Sequence, residues 1–173
     1  MNKTKAAFFD RDGTLIEDMN YLSDLDQIKI LPGIIELCLF LQKIGYKLFV
    51  VTNQSGVARG FFDENFVIKT HEYLKNFFME KNVFFEKFYY CPHHPEKAIA
   101  NKYLKVCYCR KPNPGMLYSA AKEFDLDLSQ SLIFGDKEKD IKAGEAVGCK
   151  SFYIQNVLEQ FVSDASLKSM FNV

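Results

Sequence analysis

The sequence predicts an α/β fold in which one parallel sheet carries helices on both faces. Three observations lead to this. Short apolar runs alternate with segments of helical spacing along the chain, the pattern of successive strand–helix–strand units. No internal repeat, low-complexity tract or Ser/Gly linker interrupts them, and 173 residues suit one sizeable core, so residues 1–173 are expected to form a single domain. Residues able to do chemistry directly follow the apolar runs, and in such sheets ligands sit beyond the carboxyl ends of the strands.

The elements follow in order. Residues 5–9 are short and apolar and read as a buried strand. Pro32-Gly33 opens a helical pattern to about residue 44, with Ile34, Ile35, Leu37, Cys38 and Leu41 on one face, and Gly45 stops it. Residues 47–51 are the second strand. Asp63 suits the N-cap of a helix to about residue 81. Residues 84–90 are aromatic and favour a strand. Asn113-Pro114-Gly115 starts a helix to about residue 124. Residues 131–134 form a strand, 138–147 a helix and 150–154 a last strand, and from Asn156 the chain reads as a weakly amphipathic helix or tail.

Composition narrows the function classes. Lys plus Arg and Asp plus Glu are both 22, with no basic stripe, which speaks against a broad nucleic-acid surface. No apolar stretch is long enough for a signal peptide or a membrane span, so a cytoplasmic protein is expected. No long apolar face is left over, which predicts a monomer. Five cysteines, an odd number, argue against a disulfide framework, and three of them fall close together, which points to a metal.

The segments after the strands carry the chemistry. Asp10-Arg11-Asp12-Gly13-Thr14 places two carboxylates at i and i+2 on leaving a buried strand. Such acids raise one another's pKa unless a cation lies between them, and Mg²⁺ prefers carboxylate oxygens. Asp-Gly is also an ordinary surface turn, but the spacing rules out a calcium EF-hand loop, since Gly13 is fourth from Asp10 rather than sixth. Thr52-Asn53-Gln54-Ser55-Gly56 follows the second strand with donors for a phosphate, although alone it reads as a polar loop. Arg110-Lys111 precedes a helix, as either a phosphate clamp or a solvated pair. Gly135-Asp136-Lys137-Glu138-Lys139-Asp140 ends another strand, where acids at a helix start need no function. Acid pair, hydroxyl, lysine and second acid in that order, each placed by the same alternation, make four unrelated coincidences improbable.

In that order, Asp10-x-Asp12-Gly13-Thr14, Thr52, Lys111 and Gly135-Asp136-x-x-x-Asp140 resemble the four motifs of the haloacid dehalogenase (HAD) phosphatase superfamily. The resemblance spans about residues 8–140 and implies a Rossmann-like, HAD-like fold. It implies that Asp10 is the nucleophile and Asp12 the general acid and then base. Asp10, Asp136 and the backbone of Asp12 would hold a catalytic Mg²⁺, and Thr52 and Lys111 would bind the transferring phosphoryl group. Only about 40 residues separate Asp12 from Thr52 and the predicted elements use them, so no large cap domain is expected and the site should be open.

Cys91-Pro92-His93, thirteen residues and Cys107-Tyr108-Cys109 supply three thiolates and an imidazole, a closed tetrahedral set for a structural Zn²⁺ holding a loop. His94 is expected to be a neighbour, His71 a surface or packing residue, and Cys38 and Cys149 small buried hydrophobes. With this loop the sequence is similar to the histidinol-phosphatase and heptose-bisphosphatase branch, also through residues 51–60 and 89–95. That similarity implies a small-molecule sugar bisphosphate substrate, specifically removal of the 7-phosphate of a heptose 1,7-bisphosphate in nucleotide-heptose synthesis for bacterial surface polysaccharide. Substrate contacts are implied for Arg11, residues 18–21 (Asp18 and Tyr21 among them), Asn53, Gln54, Ser55, Arg110 and Lys137.

Competing readings are a histidinol-phosphate phosphatase sharing these motifs, a nucleic-acid 3′-phosphatase, which the neutral charge disfavours, and a non-catalytic zinc-stabilised binding module, against which stand the intact Asp10 and Asp12.

Overall fold

The computed structural model describes residues 3–163. The remainder of the expected 1–173 domain, including the end of the predicted terminal segment, lies outside the described residues. The apolar runs form five strands, β1 (Ala6–Phe9), β2 (Lys47–Asn53), β3 (Phe85–Cys91), β4 (Leu132–Gly135) and β5 (Lys150–Tyr153), all parallel and in the order β3-β2-β1-β4-β5. Between and after them run α1 (Ile34–Lys43), α2 (Glu64–Glu80), α3 (Gly115–Phe124), α4 (Glu138–Glu145) and α5 (Ile154–Ser163).

Period-two alternation divides the core. Phe9, Val50 and Phe134 project to one face against Leu37 and Leu41 of α1, Leu74 and Phe78 of α2 and Val157 of α5. Phe8, Phe49 and Ile133 project to the other, against Met116, Leu117 and Ala120 of α3 and Ala143 of α4. Because both faces are covered, β1 has no polar position; all four of its residues are fully buried, as strands of parallel sheets are. The expected α/β architecture with helices on both faces is therefore present.

Local signals explain the element ends. Asp63 caps α2 as expected, its Oδ1 accepting from the Phe66 amide at 2.8 Å. Most limits move by a residue or two. Ile154 was expected in the last strand, but it begins α5, because its fully buried side chain joins the α1 face of the core. His71 packs on Phe88 and Tyr90 with ring centroids 5.1 and 5.7 Å away, so the packing half of that expectation holds and the surface half does not.

Strand order locates the site. From β1 the chain proceeds outward through β2 and β3 on one side, then crosses to β4 and β5 on the other. A crevice opens where the order reverses, beyond the carboxyl ends of β1, β2 and β4. The segment from Asp12 to β2 holds a bridged loop (Ile16 pairs with Ile30), a short 3-10 helix (Leu25–Gln27) and α1, with no cap domain.

Candidate active site

Register brings the floor of the crevice together. Phe9 lies between Val50 and Phe134, so Asp10, the next residue, emerges beside the ends of β2 and β4, its amide donating to the Phe134 carbonyl at 2.9 Å. Lys111 reaches the floor because Asn53 clamps its backbone: Asn53 Nδ2 donates to the Lys111 carbonyl and Oδ1 accepts from its amide, both at 3.0 Å. Its buried ammonium then lies 3.1 Å from Asp10 Oδ1, 2.7 Å from Asp140 Oδ1 and 2.6 Å from the Val51 carbonyl. The ammonium thus hydrogen-bonds the Val51 carbonyl and forms ion pairs with both carboxylates.

Two glycines permit this convergence. Gly13, at φ +78°, lies so close to Asp136 that a Cβ there would sit 2.4 Å from its Oδ2. A Cβ on Gly135 would sit 2.2 Å from Cβ of Asp140. Both glycines are needed for close approach of the acids, and Gly13 also for its left-handed turn.

The electrostatics follow from one cation among several anions. Burial alone would raise the Asp10 carboxyl, but the Lys111 ammonium, the field of Lys139 and the Arg11 amide outweigh it and hold Asp10 below its ordinary value. Burial would likewise lower Lys111, but Asp10 and Asp140 raise it above its own. One lysine cannot neutralise two carboxylates fully, so Asp140, fully buried, stays raised by burial and by Asp10 despite Lys111. Asp136 is raised by burial and by Asp10.

The residues present fit a divalent cation. Carboxylate oxygens of Asp10, Asp136 and Asp140 all lie within 4.8 Å of one another. Three carboxylates against one ammonium leave a formal charge of −2 on the floor, and buried Oδ1 of Asp136 has no hydrogen-bond partner. Hard oxygen donors in this number suit Mg²⁺. Asp140 is the carboxylate that motif reading did not assign to the metal. The Asp12 carboxylate is turned elsewhere. It accepts from Arg11 Nε and Nη2 at 3.1 and 3.0 Å and from Gln54 Nε2 at 2.8 Å, so the side chain is not part of the acid cluster.

The second cluster also converges. Cys91 Sγ lies 3.3 Å from Cys107 Sγ and 3.2 Å from Cys109 Sγ, Cys107 and Cys109 are 3.2 Å apart, and His93 Nδ1 lies 3.6 and 3.5 Å from Cys91 and Cys109. The thiols are free rather than disulfide-bonded. Three sulfurs and one imidazole nitrogen at such distances form a site that can hold a tetrahedral metal ion. His94 lies outside it, its Nδ1 accepting from the amides of Glu96 and Lys97 at 3.1 and 3.0 Å.

Comparison with known proteins places the chain in a family. A HAD-hydrolase-like family model matches residues 108–156. The chain is 44% identical over 138 residues to D-glycero-beta-D-manno-heptose-1,7-bisphosphate 7-phosphatase of Photorhabdus laumondii, covering 80% of this chain and 73% of that protein. It is 40% identical over 146 residues to the alpha-anomer enzyme of Burkholderia mallei, covering 84% and 77%. The chain belongs to the heptose-bisphosphate phosphatase family of HAD-like hydrolases. The solved D,D-heptose 1,7-bisphosphate phosphatase of B. bronchiseptica, complexed with magnesium and phosphate, superposes with a TM-score of 0.77 at 28% identity over 91% of this chain and 87% of that one.

In this member of the heptose-bisphosphate phosphatase family, a cleft of about 150 Å³ lies over the floor. Small-molecule pockets are commonly ~300–1,000 Å³, so the cleft can take a phosphoryl group and adjoining atoms while leaving the rest of a substrate at the open rim. Of the expected contacts, Asp10, Arg11, Asp12, Asp18, Tyr21, Asn53, Gln54, Ser55 and Lys137 line it. Thr52 and Lys111 lie buried beneath. Arg110 is not in the lining; its Nη1 donates to the His93 carbonyl at 3.0 Å, so it links the cysteine–histidine loop to the floor. Asn20, within the expected 18–21 stretch, lines the cleft as well; Phe62 and Lys139 also line it and escaped the motif reading. Lys139 had a readable signal, since a second lysine in the first turn of a helix opposes the helix dipole.

Proposed function

We propose that this phosphatase removes the 7-phosphate of a D-glycero-D-manno-heptose 1,7-bisphosphate through a phosphoaspartate on Asp10. The observation that carries the reading is the buried Asp10, held ionised by Lys111 at the reversal point of the sheet and facing an open cleft. The chemistry class follows from family membership, and the substrate is the one named for the relatives.

An oxygen of Asp10 attacks phosphorus in line, and the bond to the sugar oxygen breaks. Asp12, fixed by Arg11 and Gln54, gives its proton to the departing alkoxide. It then takes a proton from a water that attacks the phosphoaspartate, which frees phosphate and restores the Asp10 carboxylate. Thr52 Oγ1 accepts from Gln54 Nε2 at 2.9 Å, so its own proton is free for a phosphoryl oxygen. Lys111 exchanges one of its protein acceptors for another such oxygen. Asp10, Asp136 and the backbone of Asp12, with Asp140 adjoining, would hold Mg²⁺, which would supply neutralisation of charge developing on the phosphoryl group. Cys91, His93, Cys107 and Cys109 would hold Zn²⁺, which would tie down the loop leading into Arg110 and Lys111.

The test is phosphate release from both anomers of the heptose 1,7-bisphosphate, from histidinol phosphate and from fructose 1,6-bisphosphate, with and without Mg²⁺. Mg²⁺-dependent preference for a heptose bisphosphate supports the reading. Preference for histidinol phosphate moves the substrate and keeps the mechanism, and the Asp10→Asn variant retaining turnover removes the mechanism.

A further inference from the structure

Residues 101–106 lead from the first half of the cysteine–histidine cluster into the second, and they have little packing of their own. Asn101, Lys102, Leu104, Lys105 and Val106 are exposed, and within the stretch Tyr103 alone is half-buried. Its hydroxyl donates to Glu64 Oε1 at 2.6 Å, while the Tyr90 hydroxyl donates to Oε2 of the same carboxylate at 2.7 Å. Both lengths are those of charge-assisted bonds. Glu64 suits the part of the anion. It is the first residue of α2, where the helix dipole favours a carboxylate, and the Tyr103 and Tyr90 hydroxyls hold its carboxyl below the ordinary value.

Both tyrosines adjoin the cluster. Tyr90 precedes Cys91 in β3, and the Tyr103 ring centroid lies 6.4 Å from that of His93. The Tyr103 carbonyl also accepts from the His94 amide at 3.0 Å, so holding Tyr103 holds the backbone next to His93. The two bonds differ in what they add. Tyr90 is already placed by the pairing of β3 with β2, in register with Thr52, and the Cys91 carbonyl accepts from the Gln54 amide at 2.8 Å. Tyr103 belongs to no strand, so its bond to Glu64 is the one that determines where a member of the cluster sits.

We propose that Glu64 is a positioning residue for the cysteine–histidine site: acting through Tyr103, it holds His93 where the imidazole completes a tetrahedral set with Cys91, Cys107 and Cys109. The proposal rests on the zinc reading of that cluster. Partners beyond the ligands that orient a metal-binding imidazole change metal affinity by about 10–100-fold when removed.

The experiment titrates the whole protein with Zn²⁺ against a chromophoric chelator, and with Co²⁺, whose visible absorption reports ligand type and geometry. Wild type is compared with Glu64→Ala, Glu64→Gln, Tyr103→Phe and Tyr90→Phe. Glu64→Ala and Tyr103→Phe should each weaken Zn²⁺ binding about 10–100-fold and change the Co²⁺ spectrum. Glu64→Gln, whose amide can accept from Tyr103 and donate to Tyr90, should recover part of the loss, and Tyr90→Phe should stay close to wild type. Tyr103→Phe removes a single oxygen, so it tests the bond even where a change of charge at Glu64 disturbs α2. Wild-type affinity and spectrum in Glu64→Ala and Tyr103→Phe would overturn the assignment. Equal losses in Tyr90→Phe and Tyr103→Phe would overturn it as well, since Glu64 would then act by packing α2 on β3. If wild type itself gives no spectrum of thiolate-bound Co²⁺, the zinc reading falls and takes this assignment with it, an outcome visible before any variant is measured.

Discussion

Replacing Lys111 by Met tests whether the catalytic floor is held together by charge. The methionine keeps an apolar stem of similar length, so packing is nearly conserved. What is lost is an ammonium with 1% exposure lying 3.1 Å from Asp10 and 2.7 Å from Asp140, whose side chains are 5% and 0% exposed. Two buried carboxylates and the Val51 carbonyl are then left without their donor. Breaking a buried ion pair by removing one partner costs about 3–5 kcal/mol, a large share of the ~5–15 kcal/mol that holds a domain together. At roughly 2–4 °C per kcal/mol for a chain of this size, Tm should fall by about 6–20 °C. The sign with pH follows from the directions of the shifts. Asp10 lies below its ordinary value, so its stabilising contribution is complete above pH ~3.8 and is lost as pH falls through its lower native value. In the variant, Asp10 and Asp140 take up protons at higher pH and shed their repulsion. The gap between the two proteins should therefore be widest near neutrality and close in acid. Thermal melts by circular dichroism in Mg²⁺-free buffer measure it, with Lys111→Met/Asp140→Asn expected to regain about half. A loss under about 2 °C at pH 7, or one that does not shrink in acid, would refute the charge account.

The other predictions concern metals and a turn. Asp136 and Asp140 lie above their ordinary values, so without metal they favour the fold below pH ~3.8 and lose that contribution as pH rises through their native values. Added Mg²⁺ should therefore raise Tm more at pH 7 than at pH 4, and an equal rise at both would count against the three-carboxylate site. A zinc-selective chelator, or Cys107→Ser with its lost ligand, should lower Tm by several degrees, whereas withholding Mg²⁺ should stop turnover and leave secondary structure intact; elemental analysis showing no zinc in the purified protein would remove the structural-zinc reading. Asp10→Asn should lose about 10³-fold or more in kcat while remaining folded. Gly13→Ala should cost ~1–2 kcal/mol for its left-handed backbone and about 100-fold in kcat through displacement of Asp136, and unchanged kinetics would show that the 2.4 Å approach has no functional weight.

How much of this was legible in the sequence depended on whether a residue acts through its neighbours in the chain or across the sheet. The inner strands were readable because coverage on both faces makes them apolar, as residues 6–9 show, whereas the edge strands β3 and β5 keep charged, exposed positions. The order of acid, hydroxyl, lysine and acid was readable because a parallel sheet puts each strand's following residue on the same edge. The four residues of the second cluster were readable from donor type and spacing. Pairings across the sheet were less accessible. Nothing local to Asp12 says that its carboxylate is taken by Arg11 and Gln54, or that Asp140 closes the acid cluster from one turn inside α4. Arg110 read as a second phosphate clamp beside Lys111, yet its side chain turns to the His93 carbonyl, because the cysteine–histidine loop folds over that side of the floor. The start of α5 was misplaced by the burial of Ile154, which suits a strand or a helix equally until its packing against α1 is known.

The three lysines of the site differ in their counter-ions, and that difference orders their roles better than their shared charge does. Lys111 is closed by two buried carboxylates, so its removal should damage stability and turnover together. Lys137 is closed by Asp18 and Asp136 at half exposure, where ion pairs contribute little to stability; its effect should be on the position of the Asp18 loop. Lys139 makes no direct ion pair or hydrogen bond among the described residues and acts on Asp10, Asp18 and Asp140 only through its field. Near neutrality a cation without a protein partner contributes nothing to the fold through pairing, and at the head of α4 it opposes the dipole. Its field instead offsets part of the −2 that three carboxylates against one ammonium leave on the floor, so its removal should act on the charge of the acid cluster rather than on packing.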